Sequence, residues 1–375
     1  MDSEEHLIES TRRRLALEPR LLSALAIGPG DDAAVFKAFE GELVATTDLL
    51  SDEVDFLVGQ TPPELIGRKA IAVNLSDLAA MGARPLGVVV SVLLPRVRQG
   101  RGKQTENFAE RLVDGMFPIL RQFRTALAGG DTNSWDGKLV LSVTAFGTVD
   151  PKKRLRRSGA KPGDRILTTG RFGGSILRRQ FAFTPRLFEA RYLNRFRRIN
   201  AAMDVSDGLL LDLSRMAAAS GVGFRIDEAN VPIHPDTFEL LEKESAQTDR
   251  SGDGNDPSAP CAAVRHALGD GEDFELILAV PPAEAQRLLN EQPFSTKASK
   301  IDDSLRNCAT KEKIAQNFQL VRRELGFGFH RRENGFLLTD IGEFLPKEAG
   351  FLSRRASDGQ TVRISQIGGW RHGFE

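Results

Sequence analysis

The spacing of apolar positions changes several times along this chain, and each change marks an element. Over residues 64–82, Ile66, Ala70, Val73, Ala80 and Met81 recur at helical spacing behind Pro62 and Pro63, a helix-start signal. Asp77 falls on the same apolar face, where a carboxylate is costly to bury without a cation or a donor beside it. Residues 4–26 and 105–123 also predict helices, the first ending near Ile27, where Gly28-Pro29-Gly30 must turn. Short apolar runs at 33–36, 43–47, 88–94 and 139–149 predict strands, the second ending at Asp48.

The second half repeats the alternation, with strands predicted at 165–169, 223–227 and 275–280 and a helix at 208–219. Gly170 to Ser175 has glycines near a helix start, but the spacing is wrong for a dinucleotide fingerprint and no acid follows at the required distance. It reads as a glycine turn that lets helix pack on strand. Residues 244–260 are polar, aperiodic and rich in Gly, Pro and Asp, which predicts a mobile loop, and 292–335 carry no pattern that assigns an element. A Pro/Lys/Arg-rich crossing at 150–158 sets the expected boundary between a domain at 1–149 and one at 150–375. Strand and helix alternation predicts α/β or α+β lobes.

A chain of 375 residues that is 41% hydrophobic supports two domains of ordinary size. Lys plus Arg (51) balances Asp plus Glu (51), so no global field points to nucleic acid or an anionic membrane as partner. The longest apolar stretch, 88–94, is too short to span a bilayer. Cys261 and Cys308 have neither metal-ligand spacing nor a disulfide framework, which fits a reducing compartment. Met1-Asp2-Ser3-Glu4-Glu5 is acidic where a secretory signal would be basic, so the expectation is a soluble cytoplasmic protein.

The candidate chemistry lies in aspartates, most of them at glycine-rich or small-residue turns: Asp31 and Asp32 in GPGDDAAVF, Asp48 in TTDLL, Asp77 in NLSDLAAMGA, Asp131 in GGDTN, Asp204 and Asp207 in AMDVSDGLLLDL. Hard oxygen ligands placed where backbone can approach a phosphate suit a multi-Mg²⁺ nucleotide site. Each has a plainer reading. Ser206 or Asp207 would serve as a helix cap, and Asp131 as an ordinary turn residue beside Gly129 and Gly130. Asp204, three residues before Asp207, allows two carboxylates to converge at the helix entry.

No Walker-type loop and no protein-kinase catalytic loop occurs, so metal ions and an arginine would handle the phosphates. Arg157 is the candidate for a triphosphate contact, with a solvated basic linker as the alternative. No histidine has paired ligand spacing, and Trp370 either stacks on a ring or anchors the C-terminus.

In their order, over about residues 20–290, GPGDDAAVF, TTDLL, GRKAIAVNLSDLAAMGARP, GGDTN, RSGAKPGDRILTTG, AMDVSDGLLLDL and GEDFEL resemble the motifs of thiamine-monophosphate kinases. That family shares a superfamily with aminoimidazole ribonucleotide synthetase, selenophosphate synthetase and a hydrogenase maturation factor. The resemblance implies an N-terminal α/β domain that dimerises through its sheet, giving a homodimer, and a C-terminal α/β domain that completes the site. It implies ATP and several Mg²⁺, with Asp32, Thr46, Thr47, Asp48, Asp77, Asp131, Asp204 and Asp207 as metal ligands. Gly130, Asp131, Arg157 and Ser206 would contact ATP, and Glu272 and Trp370 would lie toward the thiamine end. The phosphate of thiamine monophosphate would attack the γ-phosphorus of ATP directly, with no general base, giving thiamine diphosphate and ADP.

Some positions depart from the family pattern. Where many members have histidine or another substrate-facing residue after the TTD motif, this chain has Asp55, whose carboxylate would favour a cationic thiazolium and disfavour a phosphate. GGDTN replaces GGDTT, DGEDF replaces GGEDY, and 292–335 is expanded. Selenophosphate chemistry expects a reactive cysteine near the N-terminus, and both cysteines lie beyond residue 260. The alternatives are a superfamily enzyme acting on another small substrate, or a nucleotide- or metal-binding scaffold without turnover.

Overall fold

The computed structural model describes residues 3–29, 32–96, 102–247, 261–290, 338–354, 358–364 and 367. These fall into two compact units that divide between Arg154 and Leu155.

The first unit begins with α1 (Ser3–Ala16), β1 (Leu25–Ile27) and β2 (Val35–Phe36). The helix expected over 4–26 stops ten residues early. Pro19 lacks an N–H and restricts Glu18, so the chain turns through 17–24 and enters β1. There follow β3 (Glu42–Ser51), α2 (Pro63–Ala80), β4 (Arg84–Pro95), α3 (Gly102–Phe123), β5 (Ala126–Trp135) and β6 (Val140–Val149). The sheet order is β3-β6-β4-β5, antiparallel except for the β4/β5 pair. One face of this sheet packs on α2, whose Ile66, Ile71, Leu75 and Leu78 are fully buried with Val88, Leu141 and Val143. The opposite face carries exposed Leu43 and Leu49.

The second unit comprises β7 (Arg165–Thr169), α4 (Arg179–Ala182), α5 (Leu187–Phe196), β8 (Ala201–Asp204), α6 (Leu209–Ser220), β9 (Gly223–Asp227), α7 (Pro235–Gln247), α8 (Ala262–Gly269), β10 (Leu276–Val280), α9 (Pro282–Asn290), β11 (Leu338–Leu345), β12 (Phe351–Arg354) and β13 (Thr361–Arg363). Its seven strands run β13-β12-β9-β11-β7-β10-β8, with only the β12/β9 pair parallel. Met203, Leu213, Phe224, Ile226, Ile277 and Phe344 form its apolar core. Both units are mixed α and β, with sheets mostly antiparallel. Residues 244–247, expected to open a loop, are helical instead, since α7 runs to Gln247; 248–260 and all of 292–335 lie outside the described residues. The glycine turn at 170–175 leads into a single 3-10 turn, Ser175–Leu177, and the short α4 rather than directly into a long helix.

Candidate active site

Strand alternation sorts the TTD motif. Thr46 and Asp48 point toward α2, and Ala45 and Thr47 point to the opposite face of the sheet. From α2, Asp77 meets Thr46, whose Oγ1 donates to Asp77 Oδ2 at 2.5 Å. Asp48 lies half-buried in the same place. Burial pushes its carboxyl up to about 7, with repulsion from Asp77 and then Asp55 adding to the shift. Asp55 therefore belongs electrostatically to this acidic group. Its Oδ2 also accepts the Ser51 N–H at 2.7 Å, and its carbonyl accepts from the buried Lys69 Nζ at 2.8 Å. Thr47 stands apart from them, donating to the Val143 carbonyl at 3.1 Å.

Asp32, Gly130 and Asp131 line one cavity of about 820 Å³ within the first unit. Its walls are apolar, with Leu7, Leu15, Phe36, Val92 and Leu127, and Arg12 and Thr132 add polar groups to the lining. Asp32 and Asp131 are both exposed, and Asp31 is outside the described residues. The expectation that GGDTN forms a turn is corrected: it lies in β5, with Asp131 opposite Ser91 of β4. A Cβ at Gly130 would lie 1.9 Å from the Val90 carbonyl, so strand pairing alone requires that glycine. Gly129 faces open space.

In the second unit Asp204 ends β8 and is buried, and the chain then turns through Ser206 and Asp207 into α6. Gly208 occupies the cap position and no side chain caps the helix, so neither Ser206 nor Asp207 serves that purpose. Asp212 reaches back instead, its Oδ2 accepting the N–H of Ser206 at 3.0 Å and of Asp207 at 2.9 Å. Arg215 Nη1 donates to Asp207 Oδ2 at 2.5 Å and to Asp212 Oδ1 at 2.7 Å. Burial raises the Asp212 carboxyl above the ordinary aspartate value. Sequence reasoning passed over Asp212 and Arg215. The available signal was the one that singled out Asp77, an acid within an apolar helical run, here LLLDL.

Glu272 is half-buried beside this loop, its N–H donating to the Ser206 carbonyl at 2.6 Å. Arg157 is exposed, and its carbonyl accepts from Ser220 Oγ at 3.2 Å. Trp370 lies outside the described residues. Among the described residues, no three Asp, Glu, His or Cys side chains are arranged to hold a metal by themselves. None of the described helices is long and apolar enough to cross a membrane.

Residues 30–149 match the family of AIR synthase related protein, N-terminal domain, and 161–292 match the C-terminal domain of the same family. A thiamine-monophosphate kinase of Rhodopirellula baltica is 37% identical over 274 residues, which span 71% of this chain and 79% of that protein. The crystal structure of a thiamine-monophosphate kinase from Stenotrophomonas maltophilia superposes with a TM-score of 0.65 at 29% identity, covering 92% of this chain and 96% of that one. AaThiL complexed with AMPPCP and TMP shares the fold at a TM-score of 0.62 and 22% identity, over 96% of both chains. The acids gathered on β3 and α2, the β8–α6 loop and these similarities agree: the chain belongs to the thiamine-monophosphate kinase family, within the AIR synthase related proteins.

Proposed function

We propose that this protein transfers the γ-phosphoryl group of ATP to the phosphate of thiamine monophosphate, yielding thiamine diphosphate and ADP. The observation that carries the reading is the bond from Thr46 to Asp77, which joins the TTD and NLSD motifs into one acidic group with Asp48. The R. baltica relative is a thiamine-monophosphate kinase, and AaThiL has been captured with AMPPCP and TMP. An acceptor that is already an ionised phosphate needs no proton removed, so the protein's task is to position two phosphates in line and offset their charge.

Several Mg²⁺ ions fit this chain on chemical grounds. Crowding two carboxylates, Asp77 and Asp55, against partly buried Asp48 is an electrostatic cost that a divalent cation would offset. A three-ligand protein cage is not required, because Mg²⁺ typically takes one or two carboxylates and completes its shell with phosphate oxygens and water. Asp48 and Asp77 are the proposed ligands in the first group, with Thr46 holding Asp77 in place. Asp32 and Asp131 at the cavity, and Asp204 and Asp207 at the β8–α6 loop, are the others. Mg²⁺, when bound, would neutralise phosphate charge. Thr47 also belongs to the proposed set, although its hydroxyl faces away from Asp77.

The cavity walls suit an adenine ring, with Gly130 and Asp131 at the polar lining. Ser206 and Arg157 are the further ATP contacts proposed, and Asp55, Glu272 and Trp370 those for thiamine monophosphate. The homodimer is part of the same reading: Leu43 (55% exposed) and Leu49 (66%) present apolar surface on the sheet face turned away from α2. The test is product analysis with Mg²⁺, ATP and thiamine monophosphate.

A further inference from the structure

Helix α1 carries three consecutive arginines, Arg12, Arg13 and Arg14, and each takes a different course. Arg14 Nη1 pairs with Asp114 Oδ1 of α3 at 2.6 Å. Arg13 Nε donates to Glu9 Oε1 at 3.0 Å, one turn back on its own helix. Arg12 borders the cavity of the first unit, and among the described residues it makes no hydrogen bond and no ion pair.

Helical geometry separates the three. Leu7, Thr11 and Leu15, each one turn after the last, form one stripe of α1, and all three line the cavity. Arg14 falls on the flank of that stripe toward α3, Arg12 on the opposite flank, and Arg13 on the far side of the helix. The stripe is held in place: Leu15 is 2% exposed, and Arg121 Nε of α3 pairs with Glu18 Oε1 at 2.6 Å just beyond the end of α1. Partly exposed ion pairs each add little stability, so the burial of Leu15 is what fixes which flank meets the cavity.

Asp32 and Asp131 line the same cavity, and Arg12 pairs with neither. A guanidinium that shares a cavity with two carboxylates and is not neutralised by them stays open to an anion brought in by a ligand. The cavity thus offers three chemistries at once: apolar walls for a ring, carboxylates for a divalent cation, and a planar fork of donors for phosphate oxygens. A nucleoside triphosphate with its Mg²⁺ carries the complement of all three. The arginine–phosphate contact is the strongest type of hydrogen bond among them, because it is charge-assisted and forms in bidentate geometry.

We propose that Arg12 is a nucleotide-binding residue: its guanidinium engages the phosphates of the ATP held in this cavity, so that α1 supplies both a wall and a cation to the nucleotide site. This rests on the phosphotransfer reading above. It adds a contact from an element that lies wholly before residue 30, where the family match begins, and so outside every motif. Arg12→Gln removes the charge at an exposed helix position and keeps a residue of high helix propensity. Arg13→Gln removes the same charge one residue away, on the side of α1 turned from the cavity, and is the control.

The experiment is calorimetric titration of AMPPCP, with Mg²⁺ present, into the unmodified protein and both variants at several salt concentrations, with a thermal midpoint for each protein. Arg12→Gln raises the Kd for AMPPCP by about tenfold or more, the scale of a lost hydrogen bond to a charged group, while Arg13→Gln stays within about twofold. The gap between Arg12→Gln and the unmodified protein narrows as salt rises, because a contact in an open cavity is screened. A Kd for Arg12→Gln within about twofold of the unmodified value overturns the proposal. So does an equal loss in Arg13→Gln, which would assign the effect to the general field of α1, or a gap that ignores salt, which would assign it to packing. AMPPCP binding without thiamine diphosphate formation from ATP and thiamine monophosphate rejects the proposed reaction, while the comparison of variants still decides the role of Arg12. Absence of AMPPCP binding by the unmodified protein overturns both.

Discussion

Thr46 and Asp77, thirty-one residues apart, are joined by a 2.5 Å hydrogen bond from hydroxyl to carboxylate across the β3/α2 packing. The bond fixes the direction of the Asp77 side chain. Asp77→Asn removes the charge without changing shape and should lower turnover by at least about 100-fold, the scale of losing one preorganised electrostatic contact. Thr46→Val removes only the orienting bond, and a loss of about 10-fold is expected, as for a hydrogen bond to a charged group. Rates at saturating Mg²⁺ for both variants check this ordering; equal rates for Thr46→Val, Asp77→Asn and the unmodified protein would remove Asp77 from the site.

Asp48 makes stability depend on pH. Its carboxyl titrates near 3.8 unfolded and at about 7 folded, so the folded state binds the extra proton between those values. Stability attributed to Asp48 is therefore greatest below the lower value, falls as pH rises through the window, and levels off above the folded value. Asp48→Asn should raise the metal-free thermal midpoint at about pH 8 and leave it nearly unchanged at about pH 4. Asp273, also pushed up to about 7 by burial against the pull of Arg179, acts in the same window, so the slope shrinks without vanishing. Thermal melts across this range decide the matter, and an unaltered slope in Asp48→Asn would contradict the crowding described for that group.

Mg²⁺ should reverse the same cost. Addition of Mg²⁺ with a non-hydrolysable ATP analogue is expected to raise the thermal midpoint at neutral pH, by linkage of binding to the folded state. Chelation should return it to the starting value. The increase should be smaller in Asp77→Asn and Asp207→Asn, and identical increases in all three proteins would count against these carboxylates as ligands.

Asp212 supports the Ser206–Asp207 loop through two backbone N–H groups and Arg215. Asp212→Ala removes the acceptor of both N–H groups and one of the two carboxylates that Arg215 engages, and about 2 kcal/mol of stability should be lost, the scale of hydrogen bonds to a charged group. Denaturant melts measure the loss, and the KM for ATP should rise with it. A loss under about 0.5 kcal/mol would show that the loop does not depend on Asp212.

Leu49 lies on the exposed sheet face. If that face forms the homodimer, the protein runs as a dimer in light scattering and Leu49→Asp shifts it toward monomer. A dimer indifferent to Leu49→Asp places the interface elsewhere.

How far the sequence carried the site depends on what each residue touches. Asp77 and the run around it were legible because an acid on an apolar helical face has few innocent explanations, and its Thr46 partner lies in the motif that also holds Asp48. GGDTN misled because Gly130 reads as a turn former, whereas its absent Cβ makes room for the Val90 carbonyl in the neighbouring strand. The early end of α1 follows from Pro19, a local signal that the helical repeat outweighed. Asp212 was missed because its role is to hold backbone N–H groups five and six residues earlier, a relation that spacing alone does not display. The positive φ at Glu272 and Phe274 leaves no trace in composition, since neither residue type favours that conformation.

The most direct measurement is chromatography of the reaction products formed from Mg²⁺, ATP and thiamine monophosphate by the purified protein. Equal amounts of thiamine diphosphate and ADP are expected, with free thiamine a poor acceptor. ADP release that ignores thiamine monophosphate, or no thiamine diphosphate at all, would contradict the proposed reaction.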